Sequence, residues 1–427
     1  MRRKHTSLLL VTVVLTVIAT LGASIFYFNA RPVAKRVTVH VENAFAVDDP
    51  GFRRTLETLM GGPVVSGNRV EWLKDGEAIY KAKLDAIAAA TESVTFEVYE
   101  YHGEIAGRFA EAFAERARAG VPVHVILDYL GSIGADSAFF EKMEEAGVEL
   151  VRWREPSWYR SSRFNHRTHR KLLIVDGRVG FTGGANVADA WIGDDPREYY
   201  RDNHYRFEGP VVSHLQAAFM DNWLFATGRL LLGDRYFPAL EEAGELDMQV
   251  VVSSPREGHK RIRTLLFLAF AAAQEHIRIQ TAFFYPDYML EEALLKAAER
   301  GVSVDILAPG PDIAEPWVRF ASRNRWGNLL RGHIRIHEYT KSPLHTKTFI
   351  IDDQWVTLGS ANFHNRSFRL NDETNVNIFD PEFARTMIDM FDDDLADATS
   401  YDLARWEDRP WTEWLRGVIG NLIGAHL

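Results

Sequence analysis

The chain has 427 residues, 46% of them hydrophobic and 25% charged, with a formal net charge of −10 and no cysteine. That length exceeds what one hydrophobic core usually supports, so two domains or one duplicated unit is expected, and the composition excludes a disordered or fibrous chain. The acidic balance excludes a broad electrostatic nucleic-acid binder, and the missing cysteines exclude disulfides, thiol nucleophiles and thiolate zinc sites.

"MRRKHTS" (1–7) precedes Leu8 to Phe28, a run of 21 residues without a charge. At about 1.5 Å per residue it spans roughly 30 Å of hydrocarbon. A secretory signal has a shorter apolar region followed by a small-residue cleavage site. "FYFNARPVAKR" offers no such site, so residues 8–28 are expected to be a retained transmembrane anchor, 1–7 its cytoplasmic tip and 29–47 a linker. Arg2, Arg3, Lys4 and the terminal amine before the run nearly balance Arg31, Lys35 and Arg36 after it, and the small excess before it leans toward a body on the outer side.

Beyond the linker the sequence repeats itself. "ESVTFEVYEY" (Glu92 to Tyr101) alternates as a strand, "IAGRFAEAFAERARAG" has helical spacing and stops at Gly120, and "VPVHVILDY" is a buried strand. "EHIRIQTAFFYPD", "LEEALLKAAERG" and "VSVDILAPG" repeat that order, and "GVELVRW" and "GHIRIHEY" each add a short strand. Strands alternating with helices imply β-α-β units and a largely parallel sheet covered on both faces by helices. The expected halves are 48–236 and 237–400, joined between Thr227 and Asp247. A tail, 401–427, follows. In it Trp411, Trp414, Leu415, Val418, Ile419, Leu422 and Ile423 form one helical stripe, which suits a terminal helix packed on the body or an interfacial membrane helix.

Each half then carries His-x-Lys-x4-Asp: "HRKLLIVD" from His169 and "HTKTFIID" from His345. Strand alternation turns His169 and Lys171 to one face and Asp176 to the other, and the same parity separates His345 and Lys347 from Asp352. Those aspartates are therefore expected to serve a turn or a salt bridge. Asn186 and Asn362 each lie seventeen residues after the motif histidine, behind small residues at an expected helix start. There, backbone N–H groups and the amide favour an anion. Downstream, Asp202 and Glu373 are expected to orient the histidines, each holding one ring nitrogen so that the other is free to attack or carry a proton. Histidine, ammonium and amide donors suit phosphate. A zinc site from His166, His169 and His345 is disfavoured, because a lysine beside each motif histidine opposes a cation.

At these residues the chain resembles the phospholipase D superfamily, and more closely its bacterial cardiolipin synthases. "EVYEY", "NHRTHRKLLIVDGRVGFTGGANVADAW", "YYRDNHYRFEGP" and "GSANFHNRSFRLNDETNVNIFD" carry the likeness from about Asp48 to Phe391. The resemblance implies two similar α/β halves about a pseudo-twofold axis, both motifs meeting in one site without metal or cofactor. It counts His169, Lys171, Asp176, His345, Lys347 and Asp352 as the catalytic set. His169 is then the nucleophile and His345 the acid and base, with Lys171, Lys347, Asn186 and Asn362 stabilising the phosphate. The implied activity is transfer of a phosphatidyl group to phosphatidylglycerol. Hydrolysis by water, a nuclease or a non-catalytic scaffold are the alternatives. Anionic phospholipids and the membrane are the implied partners, without nucleic acid or an obligatory protein partner, and the implied location is the bacterial inner membrane. The sequence departs from the family pattern twice. His364 stands where an aspartate is usual, and "GGAN" in the first half replaces "GSAN". Arg319, Arg323 and Arg325 could receive a second anionic headgroup or form a solvated helix face.

Overall fold

The protein's structure, a computed structural model, describes residues 11–17, 19–22, 24, 44–156, 165–193, 195, 197–254, 260–311 and 316–423. Fifteen strands form one sheet: β1 (Val65–Lys74), β2 (Val94–Val98), β3 (Val123–Asp128), β4 (Glu149–Trp153), β5 (Leu172–Val175), β6 (Val179–Gly183), β7 (Asn203–Glu208), β8 (Leu246–Ser253), β9 (His276–Thr281), β10 (Ser303–Pro309), β11 (Arg335–Tyr339), β12 (Lys347–Ile351), β13 (Trp355–Gly359), β14 (Glu373–Phe379) and β15 (Ala398–Ser400). Their order is β15-β11-β10-β9-β12-β13-β14-β8-β1-β7-β6-β5-β2-β3-β4. Outward from the antiparallel β1/β8 pair, the first seven strands and the next seven follow the same path, and β15 adds an edge. The duplicated motif is thus one visible part of a duplicated α/β fold.

The sheet is mixed, which corrects the expectation of a largely parallel one. Only β2-β3-β4 and β9-β10-β11 run parallel. The reason is connection length. Parallel neighbours need crossover helices, which these strands have in α3 (Gly103–Arg118), α4 (Ser137–Glu145), α7 (Tyr288–Glu299) and α8 (Pro316–Arg331). β5 and β12 instead turn straight back into β6 and β13 as hairpins.

Helices do cover both faces. α2 (Asp75–Ala89), α3 and α4 enclose one core, and α6 (Arg261–Ala272), α7 and α8 enclose its counterpart. On the other face α5 (Val211–Thr227) and α9 (Pro381–Ala396) share a single core, in which Leu215 and Phe219 lie with Met387 and Phe391. The halves also exchange an element. α1 (Pro50–Met60), early in the chain, buries Phe52, Leu56 and Met60 among Ile262, Leu265 and Trp355 of the second half.

Each motif aspartate closes a hairpin. Asp176 and Asp352 adopt left-handed φ values of 55° and 51°, a region that aspartate tolerates better than most residues. Asp176 accepts the N–H groups of Thr91, Glu92 and Ser93 at 3.0, 2.7 and 2.9 Å. Asp352 does the same for Gln274, Glu275 and His276 at 2.8, 2.8 and 2.9 Å. Both carboxylates are spent on the turns that launch β2 and β9. This corrects their place in the catalytic set: parity sends them away from the histidines, and orphan N–H groups at the strand starts take them up.

Of the expected anchor Leu8–Phe28, residues 11–17, 19–22 and 24 are helical and the remainder lies outside the described residues, as do 1–7, 29–43 and 424–427. Among the described residues no helix is long and apolar enough to cross a membrane. The tail forms a helix, α10 (Trp411–Ile423), against α8.

Asp176→Ala or Asp352→Ala is expected to lower stability toward urea by about 2 kcal/mol, since each change strands three backbone donors. The folded fraction should keep its turnover within about threefold. A tenfold loss of turnover at unchanged stability would return these aspartates to the catalytic set.

Candidate active site

The two motifs meet because the halves cross-connect just ahead of β5 and β12. Thr168 bridges Asp372 and Arg201 bridges Leu344, each pair parallel. The His169 N–H donates to the Asp372 carbonyl at 2.9 Å, and the His345 N–H to the Arg201 carbonyl at 2.8 Å. The next residues, Glu373 and Asp202, therefore arrive beside the histidine of the opposite half.

The side chains follow that register. His169 Nδ1 lies 3.0 Å from Glu373 Oε2, and His345 Nδ1 lies 2.7 Å from Asp202 Oδ2. The acids pair crosswise. The sequence had placed each acid downstream of its own motif, and spacing along the chain carries no information about a bridge between halves. With Nδ1 directed at a carboxylate, each ring has Nε2 left for chemistry.

The two carboxylates are supported unequally. Glu373 accepts Ser360 Oγ at 2.5 Å and Ser367 Oγ at 2.7 Å. Asp202 accepts Trp191 Nε1 at 2.8 Å and the Asn203 N–H at 2.8 Å. This explains the "GGAN" departure. A Cβ on Gly184, the counterpart of Ser360, would meet Asp202 Oδ1 at 2.1 Å. The Trp191 indole supplies the donor that serine supplies in the second half.

The lysines complete the cluster. Lys171 Nζ donates to the His169 carbonyl at 2.8 Å. Lys347 Nζ donates to the His345 carbonyl and lies 3.0 and 3.3 Å from that ring's two nitrogens. Asn186 Oδ1 accepts the Glu100 N–H at 3.2 Å, and Asn362 Oδ1 is buried with no hydrogen-bond partner among the described residues. Neither asparagine caps a helix as expected. Helical turns start three residues later, at Asp189 and Asn365.

Burial governs the charges. It pushes His169 down to about 4 and His345 to about 3; the neighbouring lysines push the same way, and the facing carboxylates offset this only in part. It also pushes Lys171 down to about 8 and Lys347 to about 7. Burial opposes charge on Asp202 and Glu373 too, but the facing histidines and lysines outweigh it and hold both acids below the usual range. At neutral pH the imidazoles are neutral and the acids ionised. Glu100, raised by burial, interacts with both lysines.

Other candidates lie elsewhere. Arg319 and Arg323 clasp Glu338, Arg323 also donates to Glu413, and Arg325 pairs with Glu291 over the Tyr285 ring. They form neither a free anion site nor a solvated face. His364 is buried and caps the turn Asn365–Arg369 through Nδ1, which accepts the Ser367 N–H at 3.2 Å. The imidazole thus does the capping work of the usual aspartate. Among the described residues no three His, Asp or Glu side chains are grouped as metal ligands. Sequence reasoning missed Trp191, Ser360, Ser367 and Arg201. Ser360 alone had a signal, its place in "GSAN". Arg201, buried, holds the backbone of Asp202 through its carbonyl at 2.8 Å and bonds Asp394 at 2.9 Å.

With that geometry in place, comparison with known proteins is decisive. The family described as "Cardiolipin synthase, PLD-like domain" matches residues 84–219 and 266–395. The chain belongs to the cardiolipin synthase family of the phospholipase D superfamily. It is similar to a cardiolipin synthase of Geobacillus thermodenitrificans (strain NG80-2), 32% identical over 375 residues, 86% of this chain and 74% of that one. The major cardiolipin synthase of Bacillus subtilis (strain 168) is 34% identical over 82% of this chain and 73% of its own. A phosphatidylserine synthase of Haemophilus influenzae Rd KW20 shares the fold, with TM-score 0.67, 13% identity, and 88% of this chain and 100% of that one covered.

Gly184→Ser should cut kcat at least about tenfold by displacing Asp202 from His345, whereas Ser360→Gly, losing one hydrogen bond, should cost less than about tenfold. Equal effects would refute this account of the asymmetry. Because lysine is cationic only below its pKa, kcat/KM should fall as pH rises through about 7 to 8, the values for Lys347 and Lys171. Lys347→Arg should move that limb alkaline by at least about one unit, and an unmoved limb would dissociate it from Lys347.

Proposed function

We propose that this protein is a phosphatidyltransferase that makes cardiolipin from phosphatidylglycerol. One observation carries the reading: each motif histidine is held by a carboxylate from the other half, so the two imidazoles, two lysine amines and two ionised acids form a single cluster. Two similar halves related by a pseudo-twofold axis then face one phosphorus from opposite sides.

In this mechanism His169 Nε2 attacks the phosphorus of a phosphatidylglycerol. The bond from phosphorus to the glycerol oxygen breaks, and His345 gives that oxygen a proton. His345, neutral in the resting site, gains its proton as the anionic diester binds beside it. A hydroxyl of a second phosphatidylglycerol next attacks the phosphohistidine, its proton passes to His345, and the P–N bond breaks to release cardiolipin. Lys171 and Lys347, with the amides of Asn186 and Asn362, stabilise charge on the non-bridging oxygens. His169 is favoured as nucleophile because Lys347 lies against both nitrogens of His345, while Lys171 is drawn to the His169 carbonyl and not to its ring nitrogens among the described contacts.

The same intermediate discharged by water would give phosphatidic acid. The N-terminal run 8–28 is read as a single-pass anchor in the inner membrane, with the body on the outer face and residues 48–236 and 237–400 as the catalytic halves. Such tethering raises the effective concentration of insoluble substrates.

Purified protein supplied with phosphatidylglycerol in chelator should yield cardiolipin and glycerol, and His169→Ala or His345→Ala should lower turnover at least about 10³-fold. Phosphatidic acid as the main product would reassign the protein as a hydrolase. A trapped phosphohistidine mapping to His345 would exchange the two roles.

A further inference from the structure

An amphipathic terminal helix ordinarily turns its apolar stripe inward. α10 does the reverse. Its glycine and polar side lies on the body: a Cβ on Gly417 would meet Asn324 Cβ at 2.8 Å and the Phe320 carbonyl at 2.9 Å. Glu413 accepts from Arg323 at 2.8 Å, and Asn421 Oδ1 accepts the Tyr285 hydroxyl at 2.9 Å. These contacts fix the rotation of the helix and leave Trp411, Trp414, Leu415 and Ile419 outward, 72%, 50%, 40% and 43% exposed. Of the sequence stripe, these four side chains face away from the protein and Val418 is half-buried.

We propose that this outward face of α10 docks on the lipid bilayer and seats the mouth of the active site against the membrane that holds its substrate, an inference that rests on the lipid substrate proposed above. Three observations favour a bilayer as the occupant. First, two of the four side chains are tryptophans, whose amphipathic rings settle at headgroup depth. Second, the four described side chains expose roughly 500 Å², short of the about 800 Å² per partner that a stable dimer buries. Third, the helix is tied to the site. Tyr285, which holds Asn421, pairs in parallel register with His364, and His364 is near enough to His169 for charges on the two rings to repel. A surface that covers α10 is therefore linked to the catalytic histidines through Tyr285 and His364.

The absence of cysteine makes a direct test clean. In the full chain, Leu415→Cys is labelled with an environment-sensitive fluorophore and reconstituted in phosphatidylglycerol-containing bilayers carrying nitroxide-labelled headgroups. Asp389→Cys, exposed on α9 across the sheet, is the control. Quenching at 415 should exceed that at 389 at least about threefold. Equal quenching overturns the proposal. So does a label at 415 already buried in detergent, whether by a second copy (burial rising with protein concentration) or by another segment of the same chain (burial independent of it). The paired change Trp414→Glu with Leu415→Glu supplies a functional arm. Turnover of bilayer phosphatidylglycerol should fall at least about fivefold while turnover of a dispersed short-chain analogue is retained. Loss on both substrates, or on neither, overturns the proposal. If the unaltered protein turns over neither lipid, the proposed activity fails, and the quenching result still decides the docking.

Discussion

The crossed histidine–carboxylate pairs are the constraint on which the rest of the structure depends. A neutral imidazole is useful to phosphoryl chemistry only if one nitrogen is held and the other is free, and here the holding group always comes from the other half. Neither half is complete alone. The bridges Thr168 to Asp372 and Arg201 to Leu344 set this arrangement at the level of backbone register, and the core shared by α5 and α9 keeps the halves from separating. Exchange of α1 into the second half's core adds a further tie.

The near-symmetry of the fold makes its departures informative. On one side Ser360 and Ser367 support Glu373. On the other, the shorter Asp202 stands where only a glycine leaves room, and an indole replaces the serine. The lysines differ too: Lys347 crowds its histidine's ring and Lys171 does not. Duplication supplied two equivalent half-sites, and these local differences give the two histidines different surroundings. Unequal work in a two-step transfer needs such a difference.

Burial does the electrostatic tuning. Four basic side chains and two acids crowd a space from which water is largely excluded, so each cation is weakened while the acids remain ionised. The outcome is a pocket with neutral nucleophilic imidazoles and lysines that an arriving anion would recharge. A phosphodiester supplies that charge. The same burial accounts for the tidy outer structure, since charges without a role in the site, such as those of Arg323 and Glu338, are paired with one another.

Much of this was legible in the chain itself. Repeat spacing marked two α/β halves, alternation separated His169 and Lys171 from Asp176, and the motifs with their asparagines and downstream acids marked a phosphate site. Those properties are local, carried by a period of two along a strand or by a fixed offset. What needed the tertiary structure were relations between distant segments. The antiparallel half of the sheet depends on which neighbours the hairpins find. The partner of each histidine depends on a bridge between halves, and the helical stripe at 411–423 has the same period whether it faces a core or a membrane. The sequence determined the chemistry available in each half, and only the packing of one half on the other decided which groups share a site, because periodicity fixes a side chain's face and not what lies across from it.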